Sequence, residues 1–191
     1  MFRMILTAFV FVALTGSARA ETFNFQEEGF SITTPQGWEV LSFSETAKMV
    51  ERSDFGSDLK RSGRADSSIL TVTEDRNAPG VSPGIFVNKY PGEISDISVG
   101  LNNVRQFIEQ NTRDFVLIEG PTPDPLGGFD AAYMRYSYVV NVGAGDLDVI
   151  EKFWLIPLGD EYLTISAGAA PGAPPQVLEA IEAAAKSLTP L

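Results

Sequence analysis

The stretch from Phe129 to Ala167 constrains the fold most, because it reads as three antiparallel strands joined by two tight turns. The runs FDAAYMRYSYVVN, LDVIEKFWLIP and EYLTISA are separated by Gly143-Ala144-Gly145-Asp146 and by Leu158-Gly159-Asp160. Gly and Asp accept the positive φ that a hairpin turn demands. In this meander Tyr133, Val139, Val149, Phe153 and Leu155 form one alternate set, and Tyr136, Tyr138, Val140, Ile150, Trp154 and Ile156 a second. A sheet wet on one side would show polar residues at alternate positions, whereas here both sets carry large apolar groups. Cover is therefore expected on both faces, from one helix each or from long loops. That is an α+β fold, a predominantly antiparallel β-sheet with α-helices packed on it.

The rest of the chain supplies the other elements. ETFNFQEE alternates Phe23 and Phe25 with polar residues, and Phe30–Thr33 follows after Gly29, which together predict a hairpin. Pro35-Gln36-Gly37 breaks the chain before a strand expected over Trp38–Phe43, with Trp38 as a core plug. From Ser44 to Asp66 the apolar pattern fades into mixed charge, the signature of a solvated loop with one helical turn or short strand near Ala47–Arg52. SILTVT and GIFVNK read as strands, and Leu101, Val104, Phe107 and Ile108 as the apolar stripe of a helix over Asp96–Arg113. FVLIE at Phe115–Glu119 is a continuous apolar run, expected at a buried sheet position. A final helix is expected from Pro174-Pro175 to Leu188, with Val177, Leu178, Ile181, Ala184, Ala185 and Leu188 inward.

Residues 1–20 read as a cleaved export signal: Arg3, the apolar run Ile5–Leu14, then the small-x-small pattern Ala18-Arg19-Ala20. The apolar run falls short of the roughly 20 residues that span a bilayer, which argues against a retained membrane anchor. No Cys follows it, so no thiol is present for lipoprotein acylation. The remaining residues, 21–191, suffice for one domain with a real core. Arg3 and Arg19 leave with the signal, so Lys+Arg falls from 14 to 12 against 25 Asp+Glu, a net charge of −13. Such a surface repels phosphate backbones and anionic membranes and argues against nucleic-acid binding. The expected address is the periplasm or the exterior.

His and Cys are both absent. Ser-His and Cys-His dyads, Cys nucleophiles, disulfides and His-based metal sites go with them. Carboxylates remain, paired at Glu27/Glu28, Asp124/Asp130, Asp146/Asp148 and Asp160/Glu161, but none follows the spacing of a calcium loop. A small-ligand or calcium-binding module built on Trp38, Trp154 and the Asp146/Asp148 turn is one alternative; a carboxylate-dependent hydrolase is another. Lys60, Arg61 and Arg64 form the local basic cluster of an acidic chain, a solvated loop or a dock for an anionic partner. Gly127-Gly128 and Gly143-Ala144-Gly145 lack the strand-loop-helix setting of a phosphate or dinucleotide fingerprint, so no cofactor is expected.

Taken in order, the elements resemble the PsbP/DcrB-like group. The residues that carry the resemblance are FSITTPQGWEV at Phe30–Val40, LNNVRQFIEQ at Leu101–Gln110, the strand FVLIEG, LGGFDAAYMRYSYVV at Leu126–Val140, and KSL at Lys186–Leu188. The resemblance covers nearly the whole chain after the signal. It implies an antiparallel sheet between helices and an accessory role: photosystem subunits on the lumen side, envelope proteins needed for phage uptake, chaperones for secreted hydrophobic segments, and a related import factor that binds a small GTPase. These share protein binding and no catalytic residue set. The expectation is a non-catalytic accessory protein that binds another envelope or secreted protein.

Overall fold

A computed structural model describes residues 20–51, 67–78, 81–141 and 145–191. The first hairpin, β1 (Thr22–Phe25) and β2 (Phe30–Thr33), turns at Gly29 and pairs with β10 (Thr189–Pro190) at the end of the chain. The remaining strands are β3 (Glu39–Val40), β4 (Ser68–Thr73), β5 (Gly84–Pro91), β6 (Arg113–Pro123), β7 (Ala132–Asn141), β8 (Asp146–Pro157) and β9 (Glu161–Ala169). They form one antiparallel sheet in the order β3-β4-β5-β9-β8-β7-β6. The helices are α1 (Phe43–Glu51), α2 (Ile97–Asn111) and α3 (Pro175–Lys186).

The meander is present as β7, β8 and β9, and both faces of the large sheet are covered. One face packs Val72, Val87, Trp154 and Ile165 against Phe30 and Ile32 of the small sheet and Val177, Ile181 and Ala185 of α3. The other packs Met134, Tyr136, Phe153 and Leu155 against Leu101 and Ile108 of α2. The small sheet therefore shares with α3 a face whose cover was expected from a helix or from long loops. Each fully buried large side chain contributes about 1.5–3 kcal/mol. α2 comes close because residue 100 is glycine: a Cβ there would lie 2.7 Å from Leu155 Cδ2. Its start is fixed by Asp96, whose carboxylate accepts from the Ser98 and Val99 amides at 2.8 and 3.1 Å.

Four expectations are corrected. Tyr133 lies opposite Trp154, and Tyr136 opposite Glu151. Tyr133 therefore shares its face with Trp154 and Ile156, and Tyr136 shares the other with Phe153 and Leu155. The alternate sets were right within each strand but crossed between strands, because alternation along one strand does not say which residue of the next lies opposite. Only Glu39–Val40 of the strand expected over Trp38–Phe43 forms, and α1 begins at Phe43. The cause is a capping box: Ser42 N–H and Oγ donate to Glu45 Oε2 at 2.8 and 2.6 Å, and Glu45 N–H reaches back to Ser42 Oγ at 3.4 Å. Leu178, expected inward, is exposed on α3. Finally, the apolar run Phe115–Glu119 lies on β6, at the end of the sheet order instead of inside it.

The chain end is locked by a close approach. Leu126 and Phe129 exchange backbone hydrogen bonds across Gly127-Gly128, both at positive φ. A Cβ on Gly127 would stand 1.5 Å from the Leu188 carbonyl oxygen. Gly127→Ala should destabilise the protein by about 2–4 kcal/mol through backbone displacement and a left-handed non-glycine residue. Urea unfolding measures this; a midpoint matching the parent would show that the segments are not packed this way.

Candidate functional site

The sequence-derived candidates fall into separate places. Asp146 opens β8 opposite Asn141 of β7, beside Arg113 at the start of β6. Arg113 Nη1 and Nη2 donate to its two carboxylate oxygens at 2.9 and 2.6 Å, and Asn141 Nδ2 donates at 2.8 Å. Hydrogen bonds from Arg113, then from Asn141, hold the Asp146 carboxyl down at about 2. Asp148 lies two residues further along the same side of β8. Both Asp146 oxygens are thus committed to a strand-to-strand clamp. Among the described residues no cluster of three acidic groups is placed to hold a metal ion.

Trp154 is fully buried at the centre of the sheet, where its Nε1–H donates to Asp124 Oδ2 at 2.9 Å. Lys152 Nζ lies 4.1 Å from the Tyr133 ring centroid and 4.8 Å from that of Trp154. The same ammonium donates to Glu182 on α3 at 3.0 Å, and Lys186 pairs with Glu182 at 3.1 Å. Tyr133 in turn donates its hydroxyl to Glu119, and that bond together with burial pushes the phenol up to about 12. The group ties α3 to the sheet by charge and cation–π contact, and Trp154 has no exposed ring to offer a ligand. Trp38 is half-buried against the same core. Lys60, Arg61 and Arg64 lie outside the described residues, as do the loop over residues 52–66 and the signal segment before residue 20.

A third cluster carried no sequence signal. Under α2, the partly buried Glu151 accepts the hydroxyls of Tyr136 at 2.6 Å and Tyr138 at 3.0 Å, and hydrogen-bonds Ser166. Desolvation raises its carboxyl above the ordinary range against the opposing pull of those donors. Both phenols are pushed well up by burial and by the carboxylate. These groups satisfy one another. No buried side-chain polar atom among the described residues lacks a hydrogen-bond partner.

What stays open is the outer edge of β6. No described strand lies beyond it. Val116 is 56% exposed, Leu117 37% and Ile118 47%, three consecutive apolar residues on a terminal strand. Phe115 turns inward, its ring 5.5 Å from that of Tyr136. Register shifts interrupt the pairing with β7 between Arg113 and Val116, Leu117 and Glu119, and Glu119 and Thr122. Beyond Glu119, Pro121 and Pro123 lack the N–H a further strand would need. An exposed apolar edge is a template for another strand, and natural proteins usually blunt it. Here the far end is blunted by prolines, while around Phe115–Ile118 the register shifts still leave an apolar run exposed.

The sequence matches no protein-family model and no curated protein. Solved structures are similar in fold. The solution structure of cyanobacterial PsbP (CyanoP) from Synechocystis sp. PCC 6803 aligns over 97% of this chain and 99% of its own, at 13% identity and a TM-score of 0.59. LpqN, involved in cell envelope biogenesis of Mycobacterium tuberculosis, aligns over 89% of this chain and 84% of its own, at 18% identity and a TM-score of 0.52. The chain has a PsbP/DcrB-like α+β fold. No helix among the described residues is long and apolar enough to cross a membrane.

The Asp146 clamp predicts a pH signature. A carboxyl held below its unfolded value stabilises the fold above that value, near 3.9, and loses the contribution as pH falls toward about 2. Asp146→Asn should therefore lower the melting temperature at pH 6, and the difference from the parent should close between pH 4 and pH 2. A constant gap would mean that the charge is not what holds β6 to β8.

Proposed function

We propose that this protein is an exported, non-catalytic accessory protein of the cell envelope that acts by binding another protein, with the outer edge of β6 as its docking surface. The observation that carries the reading is the exposed run Val116-Leu117-Ile118 on a terminal strand. Contiguous exposed apolar residues mark interaction sites. The groups capable of chemistry speak the other way: Asp146, Glu151, Lys152 and Trp154 are each engaged in contacts that hold elements together. The likeness of fold to LpqN and to CyanoP supports an accessory role in an exported compartment, and the signal pattern over residues 1–20 supports the route.

Two measurements test this. Terminal sequencing of the protein recovered from the periplasm or medium of producing cells should begin at Glu21; full-length protein confined to the cytoplasm contradicts export. Affinity capture under mild conditions should recover a protein partner with the parent chain and lose it with Val116→Lys plus Ile118→Lys, two exposed positions where charge leaves the core untouched. Unchanged recovery with the double variant removes β6 as the docking surface.

A further inference from the structure

The charges around β6 specify the kind of segment that fits it. Arg113 is neutralised by its two bonds to Asp146. That leaves Asp114, exposed and with no side-chain hydrogen bond or ion pair among the described residues, at one end of the apolar run. At the other end stands Glu119, exposed, which accepts from the neutral Tyr133 hydroxyl and lies opposite Arg135 of β7 without an ion pair to it. The open window is thus acid, four apolar residues, acid: Asp114-Phe-Val-Leu-Ile-Glu119. It ends where Pro121 and Pro123 withdraw backbone donors. Six regularly extended residues would span about 20 Å; with Asp114 left-handed and the register shifting inside the window, the regular part is shorter and takes one short added strand.

Resting on the reading of β6 as a docking edge, we propose that its occupant is an extended segment of another protein, added as an edge strand, with an apolar centre bracketed by Lys or Arg about five residues apart. Backbone hydrogen bonds to the free rim supply the attachment, as in other strand-addition complexes. The two carboxylates fix register: a cation at each end meets Asp114 and Glu119 only when the apolar centres coincide. A second copy of this chain fits badly. Antiparallel self-pairing with full overlap sets Asp114 against Glu119 across the two-fold axis, acid against acid, between chains whose formal net charge is −11 each.

The test uses labelled peptides of the form Lys-Val-Thr-Val-Thr-Lys and Glu-Val-Thr-Val-Thr-Glu, read by fluorescence anisotropy on the purified protein. The Lys-ended peptide should bind with an affinity that falls as salt rises, and the Glu-ended peptide should bind at least tenfold more weakly. Asp114→Asn with Glu119→Gln should weaken the Lys-ended peptide by up to about fivefold per carboxylate and bring the two peptides together. Asn tolerates the left-handed backbone at position 114, where φ is 52°, and a circular dichroism spectrum matching the parent is required before the variant is read. Equal binding of both peptides, or none of the Lys-ended one, overturns the proposal.

A photocrosslinker replacing Val116 in producing cells separates this outcome from the broader reading. A crosslink to another protein that the Lys-ended peptide does not displace leaves the docking edge standing and refutes the basic-bracketed strand. A crosslink only to a second copy refutes both.

Discussion

The pairing of β7 with β8 is the constraint on which the rest depends. Ten consecutive residues of each strand lie opposite one another without a break, from Ala132↔Leu155 to Asn141↔Asp146. That register sends Tyr133 and Trp154 to one face and Tyr136 and Phe153 to the other, so each face acquires an aromatic floor. A floor of that size must be covered. α2 covers one, and α3 with the small sheet covers the other. The terminal strand β10 then closes the circuit by pairing with β2, 158 residues away at the hydrogen bond between Ser31 and Thr189.

The same ladder explains why the polar groups are occupied. Residues that a catalytic or metal site would need sit at joints between layers. Lys152 and Glu182 fasten α3 to β8, Asp146 fastens β8 to β6 through Arg113, and Glu151 anchors two tyrosines beneath α2. Each joint satisfies charge or hydrogen-bonding capacity that burial would otherwise penalise. What remains unsatisfied is geometric: a sheet that does not close has edges. At β6 the sheet stops on an apolar run without a cover among the described residues. That edge is where the proposed partner would dock.

Much of this was legible in the sequence, and two of the failures share a cause. Strands over Ser68–Thr73, Gly84–Lys89 and the meander follow from alternation and turn residues, which are local properties. For α2 the sequence offers Asp96 or Ser98 as the cap, and Asp96 is the one that caps it. The run FVLIE was misread because a continuous apolar strand has the same local pattern whether buried on both faces or lying at an edge; only strand order distinguishes them. Tyr136 and Glu151 show the same limit, since a carboxylate with two phenols appears only when register brings positions 15 residues apart together. α1 is different. Its signal, Ser-x-x-Glu at Ser42–Glu45, was present and was masked by the apolar strand pattern of the residues before it. Among the candidate site residues, Trp38 is half-buried against the core instead of plugging it, and Trp154 proved to be the centre of the core. Asp146 proved to be a clamp, and the open edge was not anticipated.

The most direct measurement is amide hydrogen exchange resolved along the chain, performed at several protein concentrations. Amides that point away from β7 face no further strand among the described residues, so the region Phe115–Ile118 should exchange far faster than β8 and β9, at a rate independent of concentration. Addition of a bound partner segment should slow it selectively. Protection of β6 equal to that of β8 in the isolated protein at every concentration would show that the edge is already covered, and would contradict the account.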